Sequence, residues 1–211
     1  MVTEDLRNSN GRVIKSRYTS ANRVDVEENP ITALFWIMKD NSLPPVLKVT
    51  DPVLATTLGL TLATKRTSAE NLPKGFDMNT LGIEPFADLF RAYPVGGDYS
   101  DFKDLFTKRG AECYVLNTDA FCGKNIPKEL TLEIIEKLVD DTDQWQAFGD
   151  FAGVSYMPLA DYPVDLEYKQ NLRAWIQDRM DWLNMYNGEH PKTPLPEEAK
   201  ECLEKIVSEL K

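Results

Sequence analysis

Ile31 to Met38, Ile-Thr-Ala-Leu-Phe-Trp-Ile-Met, is a short continuous apolar run, the pattern of a strand buried on both faces. Glu112 to Leu116 predicts a second buried strand. It breaks at Asn117 into a glycine-containing turn and then enters an amphipathic helix carrying Leu130, Ile134, Ile135, Leu138 and Val139. Between the two strands, Leu43-Pro44-Pro45-Val46 is extended, because proline fixes φ and disfavours helix in the residue before it. Thr50 or Asp51 caps a helix with Pro52 in its first turn and Val53, Leu54, Thr57, Leu58 and Thr61 on one face. Lys65 and Arg66 are expected to close it against its dipole. Residues 67 to 97 hold glycines, prolines and little periodicity, and predict a long connection.

Tyr99, Phe102, Leu105 and Phe106 mark a helix from Asp98 to Arg109, with Gly110 as its C-terminal stop. Phe148 to Pro163 predicts short extended pieces over the core. Leu172, Trp175, Ile176, Met180 and Leu183 recur at helical spacing in the longest helix. Ala199, Cys202, Leu203, Ile206 and Leu210 do the same in a final one, opposite glutamates and lysines. The expected fold class is α/β (or α+β): a small mixed sheet flanked by helices, with a C-terminal helical cap. Within one domain overall, residues 1–30 form an irregular basic segment, 31–165 an α/β core and 166–211 a helical pair packed on that core. A sheet of two or three strands is marginal by itself, which implies membership of a larger sheet.

Composition narrows the function classes. A hydrophobic fraction of 42% with 27% charged residues is ordinary for a soluble domain. No apolar run approaches the roughly 20 residues of a membrane span, so no membrane partner is expected. The start, Met-Val-Thr-Glu-Asp-Leu-Arg, lacks the regions of a secretory signal, so the expected location is cytoplasmic. Cys113, Cys122 and Cys202 cannot all pair, and none sits in a C-x-x-C arrangement. A net charge of -10 repels phosphate backbones, so no nucleic-acid partner is expected. His190 is the sole histidine, which excludes histidine triads and multi-histidine metal sites within the chain.

Two stretches point to anion chemistry. Arg7, Arg12, Lys15, Arg17 and Arg23 make the first 30 or so residues the most basic region of an acidic chain. They are either a solvated edge or an anion-facing segment, since Arg17 and Arg23 flank the donors of Tyr-Thr-Ser-Ala-Asn. The strand, turn and helix from Cys113 to Val139 can hold an anion or a nucleotide. The first N–H groups of a helix lack internal partners and carry partial positive charge.

The order of these features resembles the C-terminal part of ATP-dependent phosphoenolpyruvate carboxykinases over roughly residues 20 to 140. The likeness rests on Asn22-Arg23, the strand at 31–38, Leu43-Pro44-Pro45-Val46, a helix and a long loop, then Cys-Tyr-Val-Leu-Asn-Thr, Gly123-Lys124 and the Thr131-to-Leu138 helix. That family is an α/β kinase of two lobes, which uses ATP and divalent metal to convert oxaloacetate to phosphoenolpyruvate and carbon dioxide. The resemblance implies that Arg23 contacts transferred phosphate and substrate carboxylate. It places Ile126 and Thr131 beside the adenine of ATP or another purine nucleotide, with the Asn117-Thr118 turn shaping the same pocket. It also makes residues 31–165 the nucleotide-facing part of the chain.

This chain departs from the family at Asp119-Ala120-Phe121, where further glycines are expected, and at Asn125, where an arginine is expected. No Gly-x-x-x-x-Gly-Lys-[Ser/Thr] occurs in it. The resemblance therefore implies that a phosphate loop, with Mg or Mn, belongs to an N-terminal lobe preceding Met1, and that the chain is inactive alone. Two expectations follow. The chain is the nucleotide-facing lobe of such an enzyme, joined to an N-terminal lobe, or it is a non-catalytic binding or assembly module derived from that lobe; the expected partners are a nucleotide with that N-terminal lobe, or further copies in a homo-oligomer.

Overall fold

The computed structural model describes residues 2–5, 10–13, 28–66, 73–88, 91–148, 151–164 and 166–209. The chain divides into two compact units, Met1–Pro30 with Lys65–Gly82, and Ile31–Thr64 with Ile83–Lys211. In the first unit β1 (Val2–Asp5) and β2 (Asn10–Val13) form an antiparallel ribbon, with Val2 opposite Val13 and Asp5 opposite Asn10. The segment expected to be irregular thus contains regular pairing.

The second unit is built on a mixed sheet. β3 (Ala33–Met38), β4 (Val46–Val49), β7 (Glu112–Asn117), β10 (Gln146–Ala147) and β11 (Val154–Tyr156) stand in the order β10-β11-β4-β7-β3. β3 runs parallel to β7, and the other neighbours are antiparallel. The chain leaves this unit through β5 (Ala63–Lys65) and re-enters it through β6 (Leu81–Ile83), followed by a 3₁₀ turn at Pro85–Ala87. The helices are α1 (Pro52–Leu60), α2 (Val95–Lys108), α3 (Lys128–Val139), α4 (Leu166–Glu189) and α5 (Glu197–Glu209). A hairpin of β8 (Ala120–Phe121) and β9 (Lys124–Asn125) joins β7 to α3.

The period-2 alternation of strand side chains separates two cores. Trp36, Met38, Leu47, Val49, Cys113 and Val115 face a large one shared with buried residues of α1, α2, α4 and α5. Val46 and Leu116 face the other way, onto Ile134 of α3 and Met157. β7 sits in the middle and is buried from Cys113 to Asn117, as its apolar run predicts. β3 does not match its expectation. Among the described residues its only sheet partner is β7, so it is an edge strand, and Ile37 is 58% exposed. An apolar run alone does not reveal which strand of a sheet lies outermost.

α1 is the hub of the large core. Asp51 caps it by accepting from the Leu54 N–H at 2.9 Å, and Leu54 to Leu60 are all buried. A helix apolar on every side belongs inside. Thr61 ends it by returning both its N–H and its hydroxyl to the Thr57 carbonyl, at 2.9 and 2.7 Å. Lys65 and Arg66 consequently do not close this helix, and Lys65 lies in β5. Gly59 admits Trp36 against the helix, since a Cβ there would stand 2.4 Å from the indole ring. α2 begins at Val95, three residues before Asp98, and Gly110 follows its end with φ +66. No helix among the described residues is long and apolar enough to cross a membrane.

Candidate functional site

The carboxyl ends of the two parallel strands lie side by side. The Thr118 N–H donates to the Met38 carbonyl at 2.9 Å, and its hydroxyl reaches the same oxygen at 3.3 Å. Asn117, the last residue of β7, is buried and spends its side chain on backbone. Its Nδ2 donates to the carbonyls of Leu43 at 2.6 Å and Ala120 at 2.8 Å, while its Oδ1 accepts from the Asp119 N–H at 3.0 Å. Its own N–H donates to Pro45 at 3.0 Å. Asparagine suits this place because one amide end donates twice while the other accepts.

The turn that follows is held just as closely. The Ile126 N–H donates to the Asp119 carbonyl at 2.8 Å, closing the base of the β8–β9 hairpin, and buried Phe121 anchors the hairpin in the core. Cys122 and Gly123 turn its tip with φ of 49 and 76, the left-handed pair of a two-residue hairpin loop. Tyr162 donates from its hydroxyl to the Asn125 carbonyl at 2.5 Å, and Lys124 reaches Asp161 at 2.8 Å. Pro127 then opens α3, and its carbonyl accepts from the N–H groups of Leu130 and Thr131.

Of the residues singled out from sequence, Asn117, Thr118 and Ile126 are brought together around Asp119. Asn117 and Ile126 are buried, whereas Thr118 is half-buried. Thr131 sits half-buried in the first turn of α3, close in sequence to this cluster. Arg23 lies outside the described residues. Asp119 and Glu129 put negative charge at the turn and at the start of α3, which suits an uncharged ring better than a polyphosphate.

A buried cluster that no sequence motif marks lies next to this turn. Asp40, fully buried just beyond β3, accepts at Oδ1 from the N–H and hydroxyl of Ser42, at 3.0 and 2.5 Å. Its Oδ2 accepts from the Trp175 indole N–H and from Arg179 Nη2, the latter at 3.2 Å. The Arg179 guanidinium stacks on the Trp175 ring, 3.3 Å from its centroid, and also donates to the Trp175 carbonyl. A signal was present, because Arg179 falls on the apolar stripe of α4 between Ile176 and Met180. A charge in that position needs a buried partner.

A second polar group lies at the amino end of β7. Lys48 and the Tyr114 hydroxyl both donate to Glu112 at 2.5 Å, holding its carboxyl below the usual range, with the Lys48 bond the larger cause. Burial, then the bond to Glu112, pushes the Tyr114 phenol up. Phe35 and Trp145 flank Tyr114, with ring centroids 5.1 and 5.9 Å away. Among the described residues, no group of three or more His, Cys, Asp or Glu is placed to hold a metal ion. No protein-family model and no curated protein matches the chain.

Proposed function

We propose that the chain is the nucleotide-facing lobe of a phosphoenolpyruvate carboxykinase-like kinase. The Asn117-Thr118 turn, Ile126 and Thr131 form the adenine-side wall, and Arg23 meets phosphate and carboxylate. One observation carries this most directly: the carboxyl ends of β3 and β7 meet at a turn braced by Asn117, to which Ile126 is tied through Asp119. Open α/β sheets take ligands outside the carboxyl ends of their strands. A purine needs apolar wall and a few polar groups, and Ile126, with the hydroxyl-bearing Thr131 in the first turn of α3 five residues on, is a residue pair of that chemistry. The nearby carboxylates argue that the phosphates lie elsewhere, on an N-terminal lobe with its own phosphate loop and its Mg or Mn.

Titration calorimetry with ATP and ADP tests the proposal. Binding is expected, weakened about tenfold by Thr131→Ala through the loss of one hydroxyl contact. No heat at millimolar nucleotide from a folded sample would overturn it.

The alternative is a non-catalytic assembly module, favoured by Ile37, Leu132 and Val139, which are 58%, 58% and 77% exposed. Light scattering decides between a monomer without partners, which counts against such a module, and a stable assembly.

A further inference from the structure

The two clusters at the carboxyl end of the sheet share one turn. Asp40 folds residues 40–43 from one side by accepting from both donors of Ser42, and the Leu43 N–H returns to the Asp40 carbonyl at 3.1 Å. Asn117 holds the same turn from the other side through the Leu43 carbonyl. A continuous path of hydrogen bonds therefore runs from Arg179 and Trp175 on α4, through Asp40 and the 40–43 turn, to Asn117 and Asp119, and ends at Ile126.

We propose that Asp40 and Arg179 are positioning residues for the Asn117–Ile126 wall, through which α4 sets the geometry of the nucleotide site. The ligand part of this inference rests on the proposed function; the coupling itself does not. Four donors converge on the Asp40 carboxylate, two on each oxygen, and a carboxylate is the side chain of this size that meets them with acceptors alone. Asp40→Asn keeps the volume but turns an NH₂ group onto the Ser42 pair or onto Trp175 and Arg179, whichever way it flips. Arg179 is 2% exposed, so moving it away from Asp40 leaves each charge in a site without water. Hydrogen-bond networks and packed side chains can carry such coupling, and every bond of this path lies in the same compact unit.

Amide hydrogen exchange on the whole chain tests the coupling without any ligand. In Asp40→Asn and in Arg179→Met, the N–H groups of Asp119 and Ile126 are expected to exchange at least tenfold faster than in wild type. The Leu54 N–H, held by Asp51 at the start of α1, is expected to keep its rate. Arg173→Met, on an exposed residue of the same helix, serves as the control and leaves all three unchanged. Unaltered exchange at Asp119 and Ile126, or equal acceleration at Leu54, would overturn the inference. Should Asp40→Asn fail to fold, Ser42→Ala, which removes a single bond, carries the same test with a smaller expected acceleration.

Calorimetry supplies the second arm. ATP is expected to bind Arg179→Met about tenfold more weakly than wild type, and an unchanged Kd beside altered exchange would overturn the claim on the ligand site. If wild-type protein binds no ATP, the nucleotide proposal fails while the exchange result still decides the coupling.

Discussion

The side-chain amide of Asn117 donates to the Leu43 carbonyl at 2.6 Å, so the turns that follow β7 and β3 are joined by one side chain. Removing it leaves the buried Leu43 carbonyl and the half-buried Ala120 carbonyl without that donor. Asn117→Ala is expected to cost about 1–3 kcal/mol, the range for orphaning a buried polar group. Asn117→Asp should cost more, because an oxygen then faces those two carbonyls. Urea unfolding orders the three proteins.

Gly59→Ala reverses the usual sign of such a change. Alanine in a helix interior ordinarily gains about 1 kcal/mol over glycine. Here its Cβ would stand 2.4 Å from the Trp36 ring, whose indole N–H is bound to the Ala55 carbonyl at 3.0 Å. The expected result is a loss of about 1–3 kcal/mol, as for overpacked cores. A thermal melt of the two proteins reads the sign directly.

Alkaline stability follows from two thiols. Burial pushes Cys113 up from its ordinary 9.0 to about 12, and Cys202 to about 11. The folded chain therefore keeps protons that the unfolded chain releases above about pH 9, and unfolding free energy falls as pH rises. The contribution is whole below about pH 9, where both thiols begin to lose it together; the loss is complete near pH 11 for Cys202 and near pH 12 for Cys113, and burial of Tyr99 adds to it with the same sign. Urea midpoints at pH 8 and pH 10.5 are expected to differ less in Cys113→Ala than in wild type.

The β8–β9 tip offers a stabilising change. Cys122 and Gly123 both have positive φ, and asparagine before glycine is the favoured pair in such a loop. Cys122→Asn should raise the melting temperature. Gly123→Ala should cost about 1–2 kcal/mol, the penalty of a left-handed backbone with a Cβ.

Much of the mixed α/β outline is legible in periodicity. The runs at 31–38 and 112–116 became β3 and β7, and the amphipathic stripes became α2, α3, α4 and α5. β11 falls in the 148–163 stretch expected to hold short extended pieces, whereas β4 and β10 are not predicted as strands: β4 follows two prolines and is four residues long, and β10 is two, too short for alternation to register. Asn117 is picked out by the family resemblance, but its bracing role depends on Leu43, a residue distant in sequence. Asp40 is not legible as a buried charge, because nothing local announces that Arg179, 139 positions away, will meet it.

The place of β7 in the sheet has a consequence for synthesis. β3 and β4 leave the ribosome before either has a sheet partner: both pair with β7, which is made only after α1 and α2, and β11, the other neighbour of β4, is made later still. Ala-Leu-Phe-Trp-Ile-Met carries no charge and no proline, so until residue 117 emerges the nascent chain displays a sticky, unpaired strand. Pairing so distant in sequence also slows folding. The interval between translation of β3 and of β7 is then the period in which this chain most needs a chaperone.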